Sequence, residues 1–170
     1  MMNIFPESWN TISRWLIIIS VGIIILTIIV SFLEVFIRRR RLLRSGMVDV
    51  DRMSGTEFEH FLGLVFRQYG YQIEHTGKSG DYGADLIIKK DQSRTVIQAK
   101  RYTKNVGVKA IQEAVAAKKV YNCQGAIVIT NSHYTKQAQV LAKANDVVLW
   151  DRERLLKVML MIKHQPTNQS

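Results

Sequence analysis

An acid, an amide and a lysine lie close to one another in a predicted β-hairpin. Residues 83–101 read GADLIIKKDQSRTVIQAKR, in which runs of Val, Ile and Leu flank a polar turn at residues 90–93. β-Branched side chains fit the pleated surface of a sheet, and polar residues suit a chain reversal. The segment therefore predicts two antiparallel strands, with Asp85 at the start of the first and with Gln98 and Lys100 in the second.

The spacing across the hairpin predicts that these three residues meet. Opposed residues in an antiparallel pair have numbers that add to a constant, so a turn centred between Asp91 and Gln92 places Asp85 across from Gln98. Side chains alternate between faces with a period of two, which puts Lys100 on the face of Gln98 and diagonal to Asp85. A carboxylate, an amide and an ammonium group are expected to converge.

Asp85 can satisfy its charge in two ways that the residues alone do not separate. A buried carboxylate without a partner is costly, so an acid at the start of an apolar strand requires a cation. Lys100 could supply that charge in a plain ion pair, or a metal ion could bind the carboxylate. The first interpretation predicts a structural hairpin, and the second predicts a reactive centre.

The glycine-rich loop before the hairpin does not predict a nucleotide site. A phosphate-binding loop that ends in Gly77, Lys78 and Ser79 needs another glycine five positions before Gly77, where this chain has Gln72. The loop glycines are expected to give freedom to a connection between strands, with Asp81 fixing the turn. No nucleotide cofactor is expected.

The segment before the loop predicts an amphipathic helix with two acids near its start. Ser54 and Glu57 have the spacing of a capping box, and Gly70 is placed to end the helix in the left-handed conformation. If Ser54 is the cap, Glu57 is occupied there and Glu59 can point elsewhere, as the candidate functional acid. A cap at Thr56 would reverse these roles.

The order of predicted elements defines an α/β domain from residue 53 to residue 163. The order is helix, three strands, helix, strand, helix, strand, helix. The hairpin supplies antiparallel strand pairs and the helical crossovers supply parallel pairs, so we expect a central mixed β-sheet flanked by helices. Residues 164–170 form a polar tail that is expected to fray.

A separate apolar segment precedes this domain. Residues 15–37 read WLIIISVGIIILTIIVSFLEVFI, and about 20 such residues span the hydrocarbon core as a helix. A signal peptide has a shorter apolar region that ends in small residues, and a buried core helix is rarely apolar on every face. The sequence therefore predicts one transmembrane helix at 15–37, between a short segment at 1–14 and a basic juxtamembrane linker at 38–52.

The charges beside this segment predict its orientation. Only Glu7 and Arg14 are charged before Trp15, whereas residues 38–41 are four consecutive arginines. Because positive charge stays on the cytoplasmic side, we expect a single-pass protein of the bacterial inner membrane with its N-terminus outside and residues 42–170 in the cytosol. The same arginines, Arg38 to Arg41, are placed to contact anionic lipid headgroups.

The cytosolic part is basic in its own right. Residues 42–170 contain 19 Lys and Arg against 12 Asp and Glu, a difference of +7. That balance favours a polyanionic partner such as nucleic acid, although a domain facing a membrane could be basic for lipid attraction. Cys123 is the single cysteine, which excludes an intramolecular disulfide and a cysteine-cluster zinc site.

Taken together, these motifs resemble a known family over about 100 residues, from Ser54 to Leu156. The segment resembles the Mrr-type restriction endonuclease domain, a branch of the PD-(D/E)xK nuclease superfamily. The features that match occur in the family's order: Phe58-Glu59, Gly70-Tyr71, Gly80-Asp81-Tyr82-Gly83-Ala84-Asp85, Gln98-Ala99-Lys100-Arg101 and an apolar strand that ends at Thr130.

The resemblance implies a restriction-endonuclease-like core and metal-dependent phosphodiester cleavage in DNA, in the restriction of foreign or modified DNA. Asp85 would be the main metal-binding acid, Gln98 the second ligand, Lys100 the catalytic lysine and Glu59 the accessory helix acid. The superfamily has an acid at the position of Gln98, and Mrr-like members commonly carry glutamine there. A homodimer is one arrangement open to such a domain.

Mg²⁺, or Mn²⁺ in its place, is the expected cofactor because a hard cation takes oxygen ligands. The carboxylate of Asp85, the amide oxygen of Gln98 and the backbone carbonyl of Ala99 would supply them. Cations just beyond the site would hold flanking phosphates, which carry no sequence information. These candidate DNA-binding residues are Arg101, Lys104 and Lys109.

Two other functions compete with cleavage. A module of nuclease descent could bind DNA at the membrane without cutting it, but the presence of Asp85, Gln98 and Lys100 together argues against a decayed site. An anchor whose basic domain binds only lipid or a protein partner would leave this ordered set of motifs without a role.

Overall fold

The computed structural model describes residues 7–44, 46–75 and 83–164. The chain divides into two compact units, Met1–Arg41 and Leu42–Ser170. The first unit is dominated by helix α1 (Glu7–Arg44), which extends beyond the predicted 15–37 at both ends. Within the described residues, Arg14–Leu33 is the one stretch that is long and apolar enough, by length and composition, to cross a membrane.

This stretch of α1 exposes large apolar side chains, and its hydroxyl groups bond within the helix. Large apolar residues are exposed around it, among them Ile17 at 63% and Phe32 at 79%. The few hydroxyl groups donate to carbonyls of the same helix, Ser20 Oγ to Leu16 O at 2.7 Å and Ser31 Oγ to Thr27 O at 2.9 Å. Such internal bonds satisfy polar side chains where water is absent.

A short helix that the sequence did not predict opens the second unit. Helix α2 (Met47–Arg52) lies in the segment predicted as a linker at 38–52. Asp49 accepts a hydrogen bond from the backbone N–H of Gly46 at 3.0 Å, and Met47 and Val50 are buried in the domain core. Burial of two apolar side chains stabilises this short helix, so the packed domain begins before the predicted residue 53.

Helix α3 (Gly55–Gln68) confirms the predicted capping box. Ser54 Oγ accepts from the N–H of Glu57 at 3.2 Å, and the Glu57 carboxylate accepts from the N–H of Ser54 at 2.8 Å. Gly70 follows the helix with a φ of +80°, the left-handed conformation expected where a helix ends in glycine.

The sheet is mixed, as predicted, and its five strands follow one another in chain order. Neighbours are antiparallel from β1 to β3 and parallel from β3 to β5. The strands are β1 (Gln72–His75), β2 (Leu86–Lys90), β3 (Ser93–Lys100), β4 (Gly125–Thr130) and β5 (Val147–Trp150).

Helices cover the two faces of the sheet and define two separate cores. The remaining helices are α4 (Val108–Val120), α5 (Lys136–Ala144) and α6 (Arg152–His164). On one face α2, α3 and α6 pack against Leu86 and Ile97, and on the other α4 and α5 pack against Ile87 and Val96. Alternate residues of one strand therefore enter different cores, as the pleat requires.

Candidate active site

The register of the β2–β3 hairpin brings Asp85 and Gln98 together as predicted. Leu86 and Ile97 form the last pair of the ladder at this end, and Asp85 and Gln98 come next along the two chains. Gln98 Nε2 donates to Asp85 Oδ2 at 2.7 Å, and the backbone N–H of Ala99 donates to the same oxygen at 2.6 Å. Hydrogen bonds to an ionised carboxylate are short and strong, which fixes the orientation of Asp85.

The backbone carbonyl of Ala99 points toward the same side as Asp85. The N–H of Asp85 donates to Ile97 O at 2.9 Å, so the carbonyl of Ile97 faces β2. Residues two apart in a strand direct their backbone groups to the same side, and Ala99 therefore directs its carbonyl past the start of β2, toward Asp85. A carboxylate, an amide and a carbonyl share one end of the hairpin.

Gln98 is an unusual residue to bury at this position. Its exposure is 3%, and its Oε1 atom has no hydrogen-bond partner in the part of the chain that the structure describes. A buried acceptor without a partner costs free energy, so such an atom in a native protein calls for an explanation. A cation held by Oε1 and Asp85 would provide one.

The donor set fits a hard divalent cation. Among the described residues no group of three or more His, Cys, Asp or Glu is placed to hold a metal ion. The candidate ligands are therefore one carboxylate, one amide and one carbonyl, all oxygen donors of the kind that Mg²⁺ accepts alongside water. One anionic ligand makes this a site in which substrate phosphate and water would complete the coordination.

Lys100 lies on the same face of β3 as Gln98 and reaches helix α4. Its Nζ atom is 2.8 Å from Glu113 Oε2, in an ion pair whose angles fall outside those of a hydrogen bond. The two side chains are 18% and 28% exposed. The cation that the sequence predicted as a partner or neighbour of Asp85 is thus paired with an acid on another element, so Lys100 does not serve Asp85 alone.

Glu113 also contacts the segment that leads into Asp85. Gly83 has a φ of +86°, and a Cβ atom built on it would lie 2.7 Å from Glu113 Cβ and 2.8 Å from Glu113 O. Only a glycine allows both that conformation and that approach. One turn of α4 therefore touches the chain on both sides of the site, at Gly83 and at Lys100.

The two helix acids are separated as expected. The capping box occupies Glu57, which favours Glu59 as the functional acid. Helix α3 packs on the face of the sheet opposite α4, whereas Gln98 and Lys100 face α4. Glu59 would thus approach the site around the end of the sheet, and its role stays a prediction. Asp81 lies outside the described residues.

The three predicted DNA-binding cations differ in their surroundings. Lys109 Nζ lies 4.0 Å from Glu113 Oε1 with its side chain 87% exposed, and Lys104 is exposed in the connection between β3 and α4. Arg101 is half-buried and donates from Nη1 to the carbonyl of Asp51 at 3.4 Å. Two of the three are therefore accessible to a phosphate backbone, and Arg101 is partly engaged within the protein.

A polar cluster beside the site was not predicted from the sequence. Asp51 on α2 accepts from both terminal nitrogens of Arg152 at 2.8 Å, and from Asn131 Nδ2 at 2.8 Å. The hydrogen bond from Arg152 holds the pKa of Asp51 below its ordinary value, against the opposing effect of burial. The partners are 80 and 101 residues apart, and no local spacing signals such a contact.

The fold and the site define a nuclease-type α/β domain, and comparison with known proteins gives its family. The Mrr catalytic-domain family, described as a restriction endonuclease, matches residues 50–159. The chain belongs to this restriction endonuclease family. The match includes Asp51 and begins within helix α2, the first helix that packs in the domain core.

A curated relative agrees with this assignment. The chain is 30% identical over 118 residues to the type IV methyl-directed restriction enzyme EcoKMrr of Escherichia coli strain K12, a match that covers 64% of this chain and 39% of that enzyme. The chain thus spans about two fifths of the length of this relative.

Among solved structures, the fold is similar to that of AF1548, a protein of unknown function, with a TM-score of 0.53 at 16% identity over 62% of this chain and 64% of that one. It is also similar to the DNA modification-dependent restriction endonuclease AspBHI, with a TM-score of 0.50 at 20% identity over 74% of this chain and 35% of that one. At such identities the likeness shows the shared fold.

Proposed function

We propose that this protein is a membrane-anchored, metal-dependent DNA endonuclease that hydrolyses phosphodiester bonds at the end of the β2–β3 hairpin. The observation that carries the proposal is the convergence of Asp85, buried Gln98 and the Ala99 carbonyl, with Lys100 on the face of Gln98. In a domain of the restriction endonuclease family, such a group of oxygen donors beside a lysine suits phosphodiester hydrolysis.

Each residue has a role that follows from its chemistry. Asp85, Gln98 and the Ala99 carbonyl would hold Mg²⁺, with Mn²⁺ as a substitute. When bound, the cation supplies charge neutralisation at the phosphate and a lowered pKa for water. Lys100 is a compact positive charge that orients the attacking water and stabilises the negative charge that develops on the phosphate.

DNA would be held mainly through its phosphates. Exposed Lys104 and Lys109 lie just beyond Lys100 along the chain and are accessible to the backbone of a duplex. The surplus of positive charge in residues 42–170 adds attraction that weakens as salt rises, by a logarithmic slope of about 0.9 for each phosphate neutralised. Binding of this kind is broad rather than sequence-specific.

Helix α1 would anchor the nuclease in the bacterial inner membrane. Its apolar side chains are exposed and its hydroxyl groups bond within the helix, which suits lipid and not water. The arginines at 38–41 favour a cytosolic location of residues 42–170, because positive charge stays on the cytoplasmic side. A reporter that is active only when it folds in the cytosol should be active when it is fused after Ser170. Activity of such a fusion in the periplasm would contradict this orientation.

Restriction of foreign or modified DNA is the biological role that the relatives favour. EcoKMrr is a methyl-directed enzyme, and AspBHI depends on DNA modification. If this chain shares that preference, methylated plasmid should be cut faster than the same plasmid without methylation. Equal rates would separate this protein from both relatives in substrate choice.

The central experiment uses the full-length chain in detergent micelles with plasmid, linear duplex and single-stranded DNA. We expect cleavage in Mg²⁺ or Mn²⁺ and none in EDTA. Cleavage that persists in EDTA would contradict the metal requirement. DNA retention without cleavage under every metal condition would favour the alternative function, a DNA-binding module of nuclease descent at the membrane.

A further inference from the structure

The end of strand β4 contacts the chain on both sides of Arg101. Thr130 Oγ1 donates to the backbone carbonyl of Lys100 at 2.6 Å, and Asn131 Oδ1 accepts from the backbone N–H of Tyr102 at 2.9 Å. Thr130 is fully buried and Asn131 is 4% exposed. Two consecutive buried side chains therefore fix the backbone at the point where β3 ends.

Asn131 is itself held by the unpredicted polar cluster. Its Nδ2 donates to Asp51 Oδ1 at 2.8 Å, and its backbone carbonyl accepts from Arg152 Nη1 at 2.9 Å. Because Nδ2 needs an acceptor and Oδ1 needs a donor, only one orientation of the amide bonds both the Asp51 carboxylate and the N–H of Tyr102. The bidentate pair of Asp51 with Arg152 thus supports the contact that Asn131 makes with Tyr102.

We propose that Thr130 and Asn131 are positioning residues for Lys100, and that Asp51 and Arg152 position Asn131 in turn. This inference rests on the proposed catalytic role of Lys100. The direction of the Lys100 side chain depends on the backbone of Lys100, which is the last residue of β3. The hydrogen bonds from Thr130 and to Asn131 hold the backbone at Lys100 and just after it. A misplacement of about 1 Å in a reacting group can cost about 100-fold in rate.

The same hydrogen bonds connect helix α2 to the backbone around Lys100. Asp51 lies in the last turn of α2, a helix that leads from α1 into the domain. The carboxylate of Asp51 bonds Asn131 and Arg152, and its backbone carbonyl accepts from Arg101. The segment that joins the anchor to the nuclease domain is, in this proposal, part of the framework of the site.

Thr130 offers a matched pair of substitutions for the test. Thr130→Val keeps the shape and removes the hydroxyl, whereas Thr130→Ser keeps the hydroxyl that donates to the carbonyl of Lys100. Cleavage of linear duplex DNA is measured with the full-length chain in detergent micelles and Mg²⁺, at a temperature well below unfolding. We expect Thr130→Val to lower kcat by about 10-fold to 100-fold with little change in KM, and Thr130→Ser to restore most of it.

Tyr134 provides the control for a general loss of stability. Its buried hydroxyl donates to Val128 O at 2.8 Å and lies 3.2 Å from Trp150 O, and neither contact involves residues 100–102. Tyr134→Phe should lower the melting temperature and leave kcat unchanged. An equal fall of kcat in Tyr134→Phe and Thr130→Val would assign both effects to stability and overturn the proposal.

Hydrogen exchange gives a readout that does not depend on cleavage. Asn131→Ala removes the acceptor of the Tyr102 N–H, so the peptide over residues 99–105 should exchange faster while peptides in β2 keep their protection. Unchanged exchange there, or full kcat in both Asn131→Ala and Thr130→Val, would overturn the inference. Normal cleavage by Lys100→Ala would contradict the proposed catalytic role of Lys100, and the positioning inference, which rests on that role, would fall with it.

Discussion

Lys100 and Glu113 form an ion pair that joins the end of strand β3 to the middle of helix α4, with 2.8 Å between Nζ and Oε2. Both side chains are largely shielded from solvent, where charges interact more strongly than in bulk water. An ammonium group carries three N–H donors. Lys100 can therefore direct its N–H donors at water or phosphate while it stays in the ion pair with Glu113, so the pair orients the lysine without occupying it.

Removing Glu113 should lower the rate of the chemical step. Glu113→Ala leaves the ammonium of Lys100 without its orienting partner, so we expect kcat to fall by about 10-fold or more with KM little changed. Glu113→Gln keeps an oxygen acceptor and should retain more activity. Glu153→Ala is the control, since Glu153 is a 66% exposed acid that lies 3.9 Å from His133 Nδ1. A faster Glu113→Ala enzyme would show that the pair restrains Lys100 instead.

Lys100→Ala should abolish cleavage and retain most DNA binding. Lys100 is one of 19 Lys and Arg in residues 42–170, so its loss removes little of the total attraction to DNA. Lys109→Ala is the matched control, because Lys109 also neighbours Glu113 but is 87% exposed; it should weaken binding slightly and leave kcat near that of the parent. Affinity from gel shifts in EDTA and cleavage rates in Mg²⁺ separate the two effects. Normal cleavage by Lys100→Ala would exclude a catalytic role.

Gln98→Glu should preserve cleavage or lower the Mg²⁺ concentration needed for it. The change puts an anionic oxygen in place of the buried amide oxygen, which has no hydrogen-bond partner among the described residues, and hard cations prefer such ligands. Without metal the same change should destabilise the domain, because the new carboxylate would face that of Asp85. Melting curves with EDTA and with increasing Mg²⁺ test both expectations. Equal stabilisation of parent and variant by Mg²⁺ would count against Gln98 as a ligand.

The hairpin was predictable because its geometry is local. Alternation of side chains and the position of the turn determine which residues oppose each other, and the pairing of Leu86 with Ile97 is the register that the turn at Asp91 and Gln92 predicts. The capping box at Ser54 depends on residues only a few positions apart. Patterns of this length are readable from one sequence.

The rest of the site depends on contacts between distant elements. Glu113 reads as an ordinary acid on an amphipathic helix, and only the packing of α4 against the sheet brings it to Lys100 and Gly83. Asp51 fell in a segment too short and too polar to predict a helix, since α2 forms by burying Met47 and Val50. Tertiary packing determines both the position of Glu113 and the formation of α2, and local sequence propensity does not indicate such packing.

The Asp51–Arg152 pair should make stability fall at acid pH. The hydrogen bond from Arg152 lowers the pKa of Asp51 in the folded chain below the ordinary value of 3.8. A carboxyl group with a lowered folded pKa contributes stability above its unfolded pKa, and this is lost as pH falls through the folded value. The effect should be modest, because both side chains are about one-third exposed and solvent screens the pair.

Urea unfolding of the parent and of Asp51→Asn between about pH 3 and pH 6 tests this expectation. The parent should lose more stability than the variant as the pH falls, because the variant has no carboxyl group to protonate. Asp49→Asn is a suitable control, as Asp49 lies on the same helix and caps it. Parallel pH profiles for the parent and Asp51→Asn would contradict the assignment.

Gly83→Ala should damage both stability and cleavage, and Gly70→Ala separates the causes. Both glycines have positive φ, +86° at Gly83 and +80° at Gly70, and a side chain in the left-handed region costs about 1–2 kcal/mol. Among the described residues, a Cβ on Gly70 would meet nothing within 4 Å, whereas one on Gly83 would meet the backbone of Glu113 at 2.8 Å. The overlap should add about 1–3 kcal/mol and push the chain that carries Asp85 away from α4.

We therefore expect Gly70→Ala to lower the melting temperature alone, and Gly83→Ala to lower it further and to reduce kcat in the fraction that remains folded. Equal losses in the two variants, with normal kcat in both, would show that the approach of Gly83 to Glu113 does not position Asp85.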